Sequence, residues 1–392
     1  MVCNSVFSLC DLVDIKGGKR LPKGVSLVSS KNEHPYIRIR DLSEDKYVSL
    51  NDSFLYVDDE TQKTISRYVV SSNDILVSIV GTIGLIAMVD KSLNGANLTE
   101  NCVKLTNFKP NLVDKEFLYY YLISKKSKNE IKRSVVGAVQ PKLPIKNIMS
   151  LPIDLPELSK QLLFVEKVKP FDEKIAVNNR IILNINEQIN IIFKHLFPYH
   201  YNSDLPDGWK RKMMGEVTEN IRERVNGKDA KVLSALNSGE LALSEEYFTK
   251  QVFSKNINNY ILVEPLDFAY NPARVNIGSI GINEFSFIGC VSPVYVVFRV
   301  ESSYEYYFKE FIRTEYFRQQ AITRSSGSVR QSMNYNDFAL IELAYPPKKV
   351  IDSFNKIYIP LLKSRDNLIK ENEKLLKLRN NIIDKLLSDM EK

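Results

Sequence analysis

Apolar residues along this chain follow two patterns, and each pattern occurs twice. The first is a short β-type run followed by a pair of glycines. Asp74-Ile75-Leu76-Val77 precedes Gly81-Thr82-Ile83-Gly84, and Asp267-Phe268-Ala269-Tyr270 precedes Gly278-Ser279-Ile280-Gly281. Both read as strand, turn, strand. The second pattern is a helical seam. Ile175, Ile182, Ile189 and Leu196 recur every seven residues, with Asn178, Ile185 and Ile192 between them. Leu361, Leu368, Leu375 and Ile382 recur in the same way, widened by Ile369, Leu376 and Ile383 and flanked by Lys363, Arg365, Lys370, Glu371, Glu373 and Lys374. A seven-residue apolar repeat with one polar member calls for another helix as its partner. Pro170 and Pro360 occupy matching places, where proline fits a first turn far better than a helix interior. The pattern therefore predicts a short helix near 157–168, a break and a long helix over 171–197, with a second long helix over 361–388.

The recurrence extends to the whole chain. Gly137-Ala138-Val139, Leu143 and Ile153-Asp154-Leu155-Pro156 return 190 residues later as Gly327-Ser328-Val329, Met333 and Leu343-Ala344-Tyr345-Pro346. The same offset relates Phe164 to Phe354, Pro170 to Pro360, Ile192 to Ile382 and Leu196 to Leu386. Aromatic helix starts match too, Phe117-Leu118-Tyr119-Tyr120-Tyr121 with Tyr307-Phe308-Lys309-Glu310-Phe311. The order is module, helix, module, helix. The expected fold is α+β: α/β modules over 1–156 and 199–346, and helical segments over 157–198 and 347–392. The two long helices would pair as an antiparallel coiled coil about a pseudo-twofold axis, the alternative being two independent surface helices. A fragment of 199–392 would then be expected to pair with a second copy of itself through Leu361, Leu368, Leu375 and Ile382.

Length and composition limit what these modules do. A chain of 392 residues exceeds one usual core. No apolar stretch reaches the length of a membrane span, and the N-terminus lacks a secretion signal, so the expected location is cytoplasmic. Cys3, Cys10, Cys102 and Cys290 form no C-x-x-C pair, and His34, His195 and His200 are scattered, so no metal site is expected. There is no phosphate-binding G-x-x-x-x-G-K-[ST] loop and no dinucleotide fingerprint. Asn271-Pro272-Ala273-Arg274 begins like the Asn-Pro-Pro-aromatic motif of adenine methyltransferases but lacks the second proline and the aromatic. No catalytic residue and no cofactor is expected. The net charge of +7 suits a polyanionic partner.

A series of short motifs adds a family. Leu205-Pro206-Asp207-Gly208-Trp209, Gly215-Glu216-Val217, Val232-Leu233-Ser234, Glu246-Tyr247-Phe248 and Lys250-Gln251-Val252 lead into Phe268 to Arg274, Ile277 to Gly281 and Val291-Ser292-Pro293-Val294-Tyr295. Ending in Pro346-Pro347 before the heptads, the series resembles the target-recognition domains of type I restriction-modification specificity subunits. The first half matches more loosely, through Tyr36-Ile37-Arg38, Asp74 to Ser78, Gly81 to Gly84, and Pro156-Glu157 with Gln161, and lacks the proline-glycine-tryptophan entry. The resemblance implies a non-catalytic subunit that reads a split target in double-stranded DNA, one half per module. Its helices would dock methyltransferase (M) and ATP-driven restriction (R) subunits, with no membrane partner.

Candidate DNA-binding residues are Lys16, Lys19, Arg20, Lys23, Arg38 and Arg40 in the first module and Arg222, Arg224, Arg274, Arg324 and Arg330 in the second. Arginine reads guanine edges, whereas lysine mostly meets phosphate. Ile37-Arg38-Ile39-Arg40 alternates, placing both arginines on one face of a strand, which could equally be a solvated edge. The loops Ser134-Val135-Val136-Gly137 and Ser325-Ser326-Gly327-Ser328 sit at matching places and are either backbone-approaching loops or plain turns. Two readings from other classes remain open: a stand-alone methylase or nuclease with dispersed catalytic residues, and a protein-binding scaffold.

Overall fold

The computed structural model describes residues 5–137, 139–198, 204–247, 254, 256–325 and 332–390. Contacts divide the chain into two compact units, one of Met1–Arg180 with Leu368–Lys392, the other of Ile181–Asn367. Each unit holds one module and part of both long helices, α1 (Leu158–Leu196) and α2 (Lys348–Met390). Among the described residues, no helix is long and apolar enough to cross a membrane.

In the first unit, the first module is closed by an antiparallel clasp of Ser5–Ser8 with Pro152–Leu155. Inside it lies a sheet whose edge strand Asp14–Gly17 pairs with Cys102–Thr106, followed by Ile75–Ser78 and Ile86–Val89, with Tyr47–Val48 added in parallel. The hairpin of Ile75–Ser78 with Ile86–Val89 turns through Gly81 and Gly84, both at positive φ, as the glycine pair predicts. A smaller sheet joins Pro35–Ile37 in parallel to Asn97–Leu98 and antiparallel to Leu55–Tyr56. The apolar run Lys115–Ile123 is buried almost all round, and its aromatics meet Phe164 of α1 in one core.

The second unit repeats this plan. Its clasp is Lys210–Met213 with Glu342–Tyr345. The edge strand Thr218–Ile221 pairs with Val296–Val300, then Phe268–Tyr270 and Ile280–Ile282 follow in the same spatial order. Lys231–Ala235 runs parallel to Gly289–Val291 and antiparallel to Leu241–Leu243, as in the first module. The match of order, direction and closure shows the duplication in three dimensions.

Both long helices run straight through the expected breaks, because Pro170 and Pro360 lie inside them. Each proline is exposed, and so is the residue four positions before it (Glu166, Lys356), so water can serve the carbonyl that loses its N–H partner. Buried Val168 and Asp172 bracket the first proline, and Tyr358 and Leu362 the second, holding the segments in line.

The seams differ in detail from the heptad reading. On α1, Ile175, Ile185 and Ile189 are buried, while Ile182, Ile192 and Leu196 are half-buried beside buried Phe193 and Phe197. On α2, Leu361, Leu368, Leu375 and Ile382 are half-buried. The buried line runs through Tyr358, Leu362, Asn372, Arg379, Ile383 and Leu387, one residue past the heptad positions at Leu362 and Ile383 and four past them at Asn372 and Arg379. An α-helix drifts against a strict seven-residue repeat, and two of the buried places are polar. Within the first unit, Arg379 donates to Asp172 at 2.5 Å and the Asn178 amide donates to Asn372 at 2.8 Å and to Glu371 at 2.9 Å. Numbers fall on one helix as they rise on the other, so the two segments run antiparallel there.

Candidate nucleic-acid interface

In the second module, the chain leaves edge strand Thr218–Ile221 and stays extended. Val225 is buried, and Val225 and Leu262 exchange backbone hydrogen bonds with Tyr260 and Glu223. The pleat then sends Arg222 and Arg224 to one side, both exposed. They line a cleft of about 670 Å³ with Asn220, Asn259, Tyr295 and Tyr335. Its floor is the Asn271-Pro272-Ala273 turn, held by the Ala273 N–H donating to the Asn271 side chain, and by the Met333 N–H donating to the Pro272 carbonyl. Tyr335 donates its hydroxyl to the Thr218 carbonyl at 2.9 Å, which fixes its ring against the edge strand. Val294 stands exposed on the rim.

The electrostatics set this cleft apart. Among the described residues no carboxylate lines it. Arg224 donates to the Asn259 amide oxygen at 3.2 Å, and Arg222 lies 3.2 Å from the Asn220 amide. Neutral partners orient a guanidinium without cancelling its charge, leaving it able to engage an anion or a base edge. The other exposed candidate, Arg274, follows the floor turn, outside the cleft lining. Arg324 ends helix Glu315–Arg324 half-buried, its Nε buried with no partner among the described residues. Arg330 and the 326–328 part of the serine-glycine loop lie outside the described residues.

In the first module Lys16, Lys19, Arg20 and Lys23 lie on or after the matching edge strand. Lys16 is on strand Asp14–Gly17, exposed and 3.6 Å from Asp14. Gly18 then lets the chain press against the backbone of Leu98 and Thr99, since a Cβ there would sit 2.0 Å from the Thr99 carbonyl oxygen. Lys19, Arg20 and Lys23 follow, all exposed. Lys19 lies over the Tyr68 ring, and Arg20 donates to Glu100 at 2.7 Å. The alternating arginines do not share a strand, because the strand ends at Ile37 and Ile39–Asp41 forms a short 3₁₀ turn. Asp41 captures Arg38 through two guanidinium bonds of 2.9 and 2.7 Å and a backbone bond of 2.7 Å, turning the chain. Arg40 is left exposed. Residue type and charge point to the arginines; of the groups around them, the Asn271 turn and Tyr295 fall in quoted motifs, whereas Asn220, Asn259 and Tyr335 come from separate segments that no quoted motif marks.

Comparison with known proteins fits this geometry. A model of the type I restriction modification DNA specificity domain matches residues 1–187. The MjaX type I restriction enzyme specificity subunit of Methanocaldococcus jannaschii is 24% identical over 385 residues, 91% of this chain and 86% of that one. The MjaVIII specificity subunit from the same organism is 32% identical over 73 residues; this match spans 19% of the present chain and only 17% of the relative. The crystal structure of the S subunit of a type I restriction-modification system from M. genitalium shares the fold with a TM-score of 0.51, at 16% identity, over 98% of this chain and 96% of that one. The first 187 residues are thus similar to the type I restriction modification DNA specificity domain, and the whole chain, with its duplicated modules and long helices, is similar in sequence to one specificity subunit of such systems and in fold to another.

Proposed function

We propose that this chain reads a two-part target in double-stranded DNA, one half per module, and carries no catalytic site. The observation that supports this most strongly is the repeated placement of basic residues. In each module they follow the edge strand of the same sheet, Lys19, Arg20 and Lys23 after Asp14–Gly17, Arg222 and Arg224 after Thr218–Ile221. In the second module those arginines open into a cleft that no carboxylate lines among the described residues, where guanidiniums can take guanine edges and Val294 and Tyr295 can take thymine methyls and base faces.

The modules are taken as 1–156 and 199–346, with spacer segments 157–198 and 347–392. In this proposal α1 and α2 pair as an antiparallel coiled coil relating the modules by a pseudo-twofold, which the antiparallel contacts inside the first unit support. The helices also dock methyltransferase and restriction subunits, and the assembly works in the cytoplasm. Co-expression with a cognate methyltransferase, followed by methylation-aware sequencing of the host genome, tests the reading. The expected result is adenine methylation at one split motif, absent when this chain is omitted. Methylation independent of this chain, or S-adenosylmethionine binding by the isolated chain, would overturn it in favour of an enzyme.

A further inference from the structure

Resting on the helix-pair reading above, we infer that buried polar residues on α1 and α2 form a pairing code that admits the two unlike halves of this chain and rejects two copies of either half. In the first unit Asp172 and Arg379 are both buried. Arg379 donates to one Asp172 oxygen, and the Tyr120 hydroxyl donates to the other at 2.5 Å. Lys46 donates to that hydroxyl at 3.1 Å and lies 3.4 Å from Glu116, so the ion pair is anchored in the module core. About two helical turns on, Asn178 and Asn372 join their amides, and Asn372 donates to Asn179 at 2.7 Å.

The repeat gives the counterparts of these residues. The 190-residue offset carries Asp172 to Leu362 and Arg379 to Ile189, and carries Asn178 to Leu368 and Asn372 to Ile182. Leu362 and Ile189 are buried in the second unit, 6% and 5% exposed. The two equivalent places are therefore filled differently, by an ion pair in one copy and by aliphatic residues in the other. If α2 met a second α2 in the arrangement that α1 now takes, Arg379 would face Leu362 twice and Asn372 would face Leu368 twice. Two α1 helices would set Asp172 against Ile189 and Asn178 against Ile182. An unmatched Arg379 or Asp172 is a buried charge without a counter-ion, a penalty on the order of a hundredfold or more per site, and an unmatched Asn178 or Asn372 is a buried amide without its partner. Matched, the same groups satisfy one another, and polar residues in a helical seam select partner and register in this way. The shared apolar stripe on its own favours self-pairing of 199–392; the polar positions reverse that preference.

The test uses the full chain with a protease site placed within 199–203. Isotope-labelled and unlabelled batches are mixed, cut, left to exchange and weighed by native mass spectrometry. Only complexes of one first half with one second half are expected. A population of second-half pairs comparable with the mixed complexes would overturn the code, whereas dissociation into monomers would overturn the helix-pair reading itself. The full chain carrying Asp172→Leu with Arg379→Ile copies the aliphatic counterparts and keeps the seam filled. After cutting, its like-with-like pairs should rise at least about tenfold over the unmodified chain, and no rise would remove these two residues from the code.

Discussion

At the scale of single residues, the proposed function assigns recognition and architecture to different arginines according to their partners. Arg224 is held by an amide and Arg38 by a carboxylate, so their replacements should act on different properties. Arg224→Ala should weaken DNA binding by about 1–3 kcal/mol and relax one half of the methylated motif only, read by filter binding and methylome sequencing. Arg38→Ala should leave the motif intact and cost about 1.5–3 kcal/mol of stability in a denaturant titration, because it removes charge-assisted bonds to Asp41. The buried phenols give a third expectation. Burial raises the pKa of Tyr119, Tyr120, Tyr270, Tyr307 and Tyr358 above the ordinary value near 10. A folded-state pKa above the unfolded one contributes stability that is complete below about pH 10 and is lost as pH rises further. The ionisation of these five phenols, read as the absorbance lost in their Tyr→Phe variants, should therefore come only with the loss of helical circular dichroism above pH 10; their ionisation before unfolding would contradict their burial.

At the scale of elements, the long helices invite a length change. Four residues inserted between Asn184 and Gln188 of α1 add about 6 Å, close to one turn. The two half-site sequences should persist while their separation in the methylated motif grows by about one or two base pairs. What the sequence discloses about these elements depends on whether the signal is local. The glycine pairs, the aromatic helix starts and the 190-residue offset are local or ungapped, and each matches what the structure contains. Helix continuity through Pro170 depends on exposure, which a linear pattern does not carry. Apolar spacing likewise selects Leu375 and Ile382 and passes over Asn372 and Arg379, whose burial depends on partners far away in the chain. The parallel pairing of Pro35–Ile37 with Asn97–Leu98 spans some sixty residues of intervening chain, and the amide-lined cleft draws on five separate segments. Neither leaves a trace in the spacing of neighbours. The arginines at 38 and 40 show the converse failure, since an alternating pattern suggested a strand that Asp41 turns into a cap.

At the scale of the whole molecule, duplication predicts modular exchange. Replacing residues 1–156 with the corresponding module of a related chain should change one half of the methylated motif and leave the other unaltered. A change in both halves would mean that the modules read DNA jointly. The clasp explains why such an exchange is structurally cheap. Ser5–Ser8 lies against Pro152–Leu155, and Lys210–Met213 against Glu342–Tyr345, so the two ends of each module lie side by side, within the ~5 Å spacing of paired strands. A body whose two ends close on one ribbon passes little of its own size to the stem that bears it. Loops can lengthen and strands can be added, as Tyr47–Val48 is in the first module, without altering the geometry at the root. Beyond the face that meets the helices through residues such as Tyr120, the socket is thus indifferent to what it holds, and new specificities can be grafted onto an old frame by a cut at either end of one two-stranded ribbon.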